Sequence, residues 1–154
     1  MAGHALLELD TFLPYRLSVL SNTLSQAIAR IYDKRFGLSI TEWRTMAVLG
    51  YNADISAREV AARTAMDKVA VSRALARLLE KKLIERGTAA HDKRLSVLRL
   101  SEEGWKIYDQ VAPLALAHQE RILSHLDEEQ REWLAKILDT LWHAEVVDNH
   151  TPEP

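Results

Sequence analysis

The side chains best equipped for chemistry in this chain are cationic, and they gather in one part of it. Lys68, Arg73 and Arg77 fall within one helical-looking stretch, and Asp92-Lys93-Arg94 follows inside RGTAAHDKRLSVLRLS at 86–101. Residues 56–100 hold eleven Lys and Arg against five Asp and Glu, while the rest of the chain holds nine against seventeen. The formal net charge of −2 therefore conceals a basic middle between acidic ends, the electrostatic footprint of a nucleic-acid reader. Guanidinium and ammonium groups can neutralise phosphates, and an Arg can make a bidentate contact to guanine.

Other chemistries find little support. With no cysteine, thiolate metal sites, disulfides and thiol redox switches are excluded. His118 and His125 lie seven apart with no further ligand evident, so they read as solvent-facing residues and no metal is expected. Five glycines form no phosphate-cradling loop and no nucleophile elbow, so neither an enzyme nor a cofactor is expected. No apolar run approaches the roughly 18–20 residues that span a bilayer. The start, MAGHALLELD, lacks a signal-peptide pattern, and a cytoplasmic protein without membrane contact is expected. A composition of 47% hydrophobic and 27% charged residues suits a globular fold.

The elements that must position the cations can be read from apolar periodicity and caps. Leu13, Leu17, Leu20, Leu24, Ile28 and Ile31 make one stripe, predicting a helix over 13–36 that tolerates Pro14 in its first turn and stops at Gly37. Thr41 is expected to cap a second helix over 42–51. Ser56-Ala57-Arg58-Glu59 is a capping box opening a third, and Asp67 caps a fourth over 68–82, with Val69 or Val71, Leu75, Leu78 and Leu79 inward. The third and fourth helices form a helix-turn-helix. Strands over 83–88 and 95–100 surround the charged tip, with Ser96, Leu98 and Leu100 on one face and Val97 and Arg99 on the other. Ser101 caps a helix reaching about residue 126, weakened at Gly104 and bent at Pro113, and Asp127 with Gln130 opens the last. The fold class is thus mainly α with a small β-hairpin: a winged helix-turn-helix.

Two motifs make the chain resemble the MarR family of transcriptional regulators. One is Asp92-Lys93-Arg94 in the hairpin, similar to the family's Asp-x-Arg wing signature, followed by Leu-Ser-Glu-Glu-Gly at 100–104. The other runs from Asp67-Lys68-Val69-Ala70-Val71-Ser72-Arg73 to Leu83-Ile84-Glu85-Arg86. The likeness covers about 10–145. It implies one domain with a winged helix-turn-helix at about 41–100, dimerisation helices at about 10–36 and 101–145, and tails at 1–9 and 146–154. It also implies a homodimer on a pseudo-palindromic double-stranded DNA site, with half-sites about 34–36 Å apart. The terminal helices agree, since they carry more large apolar residues than one small winged domain can cover.

On that frame Lys68, Ala70, Val71 and Arg73 are expected at base edges, the two apolar ones against thymine methyls. Ser56, Ser72 and Arg77 are expected at phosphates. Arg94 would enter a narrow minor groove, and the family pattern implies that Asp92 orients it. The resemblance further implies a repressor released by a small aromatic carboxylate or aromatic acyl-CoA effector, for which Tyr15, Arg16, Trp43, Met46, Trp105 and Tyr108 are candidates. The alternative is a winged-helix protein-interaction module without DNA binding.

Overall fold

The computed structural model describes residues 5–89 and 94–148, the side chains of 145–148 excepted. The described elements are α1 Leu13–Phe36, α2 Ile40–Tyr51, α3 Ala57–Thr64, α4 Lys68–Glu80, β1 Ile84–Thr88, β2 Ser96–Leu100, α5 Glu102–Leu123 and α6 Glu128–Asp148. No helix among them is long and apolar enough to cross a membrane. The chain divides into two units, Met1–Leu114 and Ala115–Pro154.

In the first unit the helix ends follow local chemistry. Pro14 occupies the first turn of α1, where a backbone N–H has no helical partner, and Gly37 ends it in the left-handed region at φ 62°. The cap of α2 is Ser39, not Thr41. Ser39 Oγ accepts from the Glu42 amide at 3.1 Å, and Glu42 Oε2 accepts from the Ser39 amide at 2.8 Å. Ser39 has a carboxylate three residues on and Thr41 has Arg44, so only Ser39 can close the reciprocal box. Ser56 and Asp67 cap α3 and α4 as their types predict.

The core is assembled from Tyr32 and Leu38, from Met46 and Leu49 of α2, Val60 of α3, Val71, Leu75 and Leu78 of α4, the hairpin and Val111 of α5. Burying each large side chain stabilises the fold by roughly 1.5–3 kcal/mol. At its edge lies a charged lock. Glu42, 2% exposed, meets Lys81 Nζ at 2.9 Å, and the same ammonium donates to the Gly37 carbonyl at 2.9 Å. Burial alone would push the Glu42 carboxyl up, but the Ser39 amide and the Lys81 ammonium outweigh it and hold the group below its usual range.

The hairpin pairs Ile84 with Leu100, Arg86 with Leu98 and Thr88 with Ser96. Both Val97 and Leu98 are buried, so β2 lacks the polar face that strict alternation predicts. The Leu98 amide donates to the Ile55 carbonyl at 2.8 Å, which lays the segment before α3 against β2.

Ser101 joins the hairpin to α5. Its Oγ accepts from the Gly104 amide at 3.0 Å and donates to the Lys82 carbonyl at 2.6 Å. This draws the first turn of α5 so close to the α4–β1 turn that a Cβ on Gly104 would overlap the Leu83 carbonyl oxygen. Gly104 is thus required by a close backbone approach, whereas its sequence context suggests only a weakened turn. Pro113 lies inside α5.

In the second unit Asp127 and Gln130 exchange cap hydrogen bonds at 2.8 and 3.0 Å to open α6. Arg131 pairs with Glu120 at 3.6 Å. Trp133, Leu134, Ile137, Leu138, Leu141 and Trp142 of α6 are exposed.

Two outcomes are expected. Gly104→Ala should lose about 2–3 kcal/mol or more of stability in urea denaturation, because backbone cannot yield as a side chain does. Because the folded state depresses the Glu42 pKa, this carboxylate's stabilisation is complete above the unfolded value of about 4.5 and is lost as pH falls through the lower folded value. Glu42→Gln should therefore be less stable than wild type at pH 7, with the difference shrinking below about pH 4.5 in the same assay.

Candidate nucleic-acid interface

Helix α4 turns Val71, Ala74, Leu75 and Leu78 into the core. With 3.6 residues per turn, the opposite side carries Val69, Ser72, Arg73 and Ala76, all exposed. Lys68 and Arg77 are exposed on its flanks, and Ala70 is half-buried. Asp67 Oδ1 accepts from the amides of Val69 and Ala70 at 2.8 and 2.9 Å, which pins the first turn in place. A helix with its first turn pinned therefore presents one polar face that carries Arg73 between the flanking cations Lys68 and Arg77.

Val71, expected at a base edge, is 1% exposed and belongs to the core, while Val69 is 57% exposed. Either valine could have faced inward on periodicity; Ala74 and Leu78 sit on the Val71 side and settle the phase. Ser56 is also committed. Its hydroxyl donates to Glu59 Oε2 at 2.8 Å and accepts from the Glu59 amide at 3.2 Å, so little of its capacity is left for a phosphate. The Ser56 amide, which donates to Glu59 Oε2 at 2.8 Å, and after it the Ser56 hydroxyl hold the Glu59 carboxyl below its ordinary pKa. Between α3 and α4 lies a groove of about 360 Å³, where Arg58 and Lys68 accompany Ala61, Val71 and Leu75. Arg58 escaped the sequence reading, although the capping box that starts α3 places it one residue inside the helix.

In the wing, Arg94 is exposed in the turn before β2, and Asp92 lies outside the described residues. The base of the wing is tied to the helix-turn-helix by charge. Arg99 Nε stands 2.8 Å from Asp54 Oδ1 and 4.0 Å from Glu85 Oε1. The Nε–H makes no aligned hydrogen bond among the described residues, so this is an ionic contact rather than a directed one. Asp54 adopts φ 60°, and a Cβ on Gly87 would overlap the Arg99 guanidinium. Glycine at 87 thus leaves the space in which Arg99 lies across β1.

The candidate effector residues separate. Trp43, Tyr108 and Trp105 do come together, as a ladder with Tyr32: centroids are 5.7 Å apart for Tyr32–Trp43, 5.8 Å for Trp43–Tyr108 and 5.2 Å for Trp105–Tyr108. Tyr15 and Arg16 are exposed in the first turn of α1, and Met46, with no exposed surface, is core. The cation beside the rings is Arg44, which donates to Ser25 Oγ at 2.9 Å. Ser25, Ile28, Tyr32, Ile40, Trp43 and Arg44 line a cavity of about 120 Å³. Burial pushes the Tyr32 phenol up to about 12 against the opposing influence of Arg44. Sequence alone could not select Arg44, because α1 and α2 meet only on folding.

His118, expected to face solvent, keeps Nδ1 3.1 Å from Arg121 Nη2 and buries Nε2 without a partner among the described residues. No group of three or more possible metal-ligating side chains occurs among the described residues.

Known proteins resemble the chain at both levels. The MarR family model matches residues 36–95, covering the helix-turn-helix and much of the wing. The HTH-type transcriptional regulator BilQ of Clostridium symbiosum is 30% identical over 105 residues, 68% of this chain and 73% of that protein. The HTH-type transcriptional repressor IacR of Pseudomonas putida is 21% identical over 129 residues, 84% of this chain and 77% of that protein. A crystal structure of a MarR/EmrR family transcriptional regulator from Acinetobacter sp. ADP1 superimposes with a TM-score of 0.82 at 29% identity, covering 93% of this chain and 99% of the other. With an exposed cation-flanked α4 and a hairpin after it, the chain belongs to the MarR family of DNA-binding winged-helix transcriptional regulators.

Proposed function

We propose that this regulator is a cytoplasmic homodimeric repressor that binds a pseudo-palindromic duplex and leaves it when a small aromatic carboxylate, free or as its CoA thioester, is bound. The observation that carries the DNA-reading part is the outward face of α4, where Arg73 lies opposite the buried Val71 and Leu78, flanked by Lys68 and Arg77. Arg73 meets base edges in the major groove; Lys68, first expected at a base edge, lies on the flank of α4 and with Ser72 and Arg77 engages phosphates, and Arg94 reaches the minor groove from the wing. The repressor designation of IacR supports the direction of control.

Dimerisation is supported by apolar surface left uncovered in each unit. Leu13, Leu17 and Leu20 of α1 are 48%, 41% and 55% exposed, and Trp133 and Trp142 of α6 are 55% and 65% exposed. Exposed patches of this kind favour burial against a second copy. For the effector, Arg44 supplies a guanidinium fork for a carboxylate, and Tyr32 and Trp43 supply flat walls for a ring. A cavity of about 120 Å³ has room for one ring and its carboxylate or thioester carbonyl, and the CoA part of a thioester would extend outside it. Through Trp43 the ring ladder links that cavity to α5, so an occupant that shifts Trp43 also shifts Tyr108.

Arg94→Ala should weaken binding to every duplex and reduce the salt slope by about one, while Arg73→Ala should cost about 1–3 kcal/mol and also relax base preference. Fluorescence anisotropy across a salt series measures both; wild-type behaviour from both variants would remove the DNA-reading assignment. In a titration of the protein–DNA complex with benzoates, phenylacetates and their CoA thioesters, at least one should release DNA from wild type and fail with Arg44→Gln. Release by none of them would eliminate the aromatic effector and leave DNA binding intact.

A further inference from the structure

The one large apolar side chain on the outward face of α4 is Val69, and its exposure calls for a reason. Valine is a moderate helix former, and 57% of its surface faces solvent in a helix where Val71 already supplies the apolar contact to the core. The backbone at this position is held by the bond from the Val69 amide to Asp67 Oδ1 at 2.8 Å. A β-branched side chain in a helix has one strongly preferred χ1 rotamer. The two methyl groups of Val69 are therefore presented in a fixed direction, with little rotamer entropy left to lose on contact.

The neighbours show what that fork faces. Ser72 and Arg73, three and four residues on, share its side of the helix, and both are exposed. A surface bounded by a guanidinium and a hydroxyl is suited to a polyanion, yet Val69 can make neither a hydrogen bond nor an ionic contact. In the major groove the apolar feature within reach of a helix is the C5-methyl of thymine. Resting on the assignment of α4 as the DNA-reading helix, we propose that Val69 is a specificity-determining residue that reads a thymine methyl, one helical turn before the base contact of Arg73.

The test needs no knowledge of the natural operator. Duplexes are selected from a random pool with the wild-type protein, and the selected sequence is remade with uracil in place of each thymine in turn, which removes only the C5-methyl. At one thymine per half-site, uracil should weaken wild-type binding about fourfold, the equivalent of one buried methyl. With Val69→Ala that uracil penalty should vanish, giving a double-mutant cycle with clear coupling, and Val69→Ile should restore it. The Val69→Ala protein should melt at or slightly above the wild-type temperature, since alanine is the better helix former and the exposed side chain leaves the core untouched. A uracil penalty of equal size in wild type and Val69→Ala, or no penalty at any thymine, overturns the role of Val69 while DNA reading stands. Failure of the wild-type selection to yield any consensus would instead overturn the DNA-reading assignment itself.

Discussion

One constraint governs the surface on which this protein acts: Val71, Ala74, Leu75 and Leu78 of α4 must be buried against the helices around them. A helix has a single rotational phase, so what is buried determines what is presented. Once Val71 and Leu78 are inside, Val69, Ser72 and Arg73 have to be outside. The Asp67 cap fixes where the helix begins, and Lys81, on Glu42 and the Gly37 carbonyl, ties its far end to the start of α2. Helix α4 is thus held at three places, and its outer face inherits their rigidity.

The wing is positioned by a different balance. Its two strands are short, and an isolated hairpin is marginal in water. The Ile55–Leu98 bridge adds backbone pairing at its base, and Asp54 faces Arg99 across the same junction. Exposed ion pairs contribute little energy, about 0–1 kcal/mol, so the pair acts on direction more than on stability. Gly87 and Gly104 complete the arrangement by letting a guanidinium and a helix turn come closer than any side chain would allow. The hairpin, α5 and the segment before α3 consequently share one junction at the base of the wing.

The ring ladder adds a second connection within that unit. Tyr32 belongs to α1, Trp43 to α2, and Tyr108 and Trp105 to α5, and each step is an edge or tilted contact of the kind aromatic rings favour. Arg44 and the cavity stand at one end of it. Met46, sequence-adjacent to this group, is instead a filler of the core.

Much of this was legible beforehand, for physical reasons. Caps are local, so Ser56 with Glu59, Asp67, and Asp127 with Gln130 announced three helix starts from residue type and spacing alone. The count of charges by region located the basic middle, and the order of elements specified a winged helix. Other features required chain segments far apart in sequence to meet. Periodicity allowed Val69 or Val71 to face inward, and only packing against the other helices chose Val71. Ser39 displaced Thr41 as a cap because its partner is a carboxylate. Arg44, Lys81 and Gly104 took their roles from contacts with Ser25, Glu42 and Leu83, which lie 19, 39 and 21 positions away. Local chemistry determined the elements and their polarity; the tertiary structure decided which side of each element does the work, because burial compares faces that no single stretch of sequence can rank.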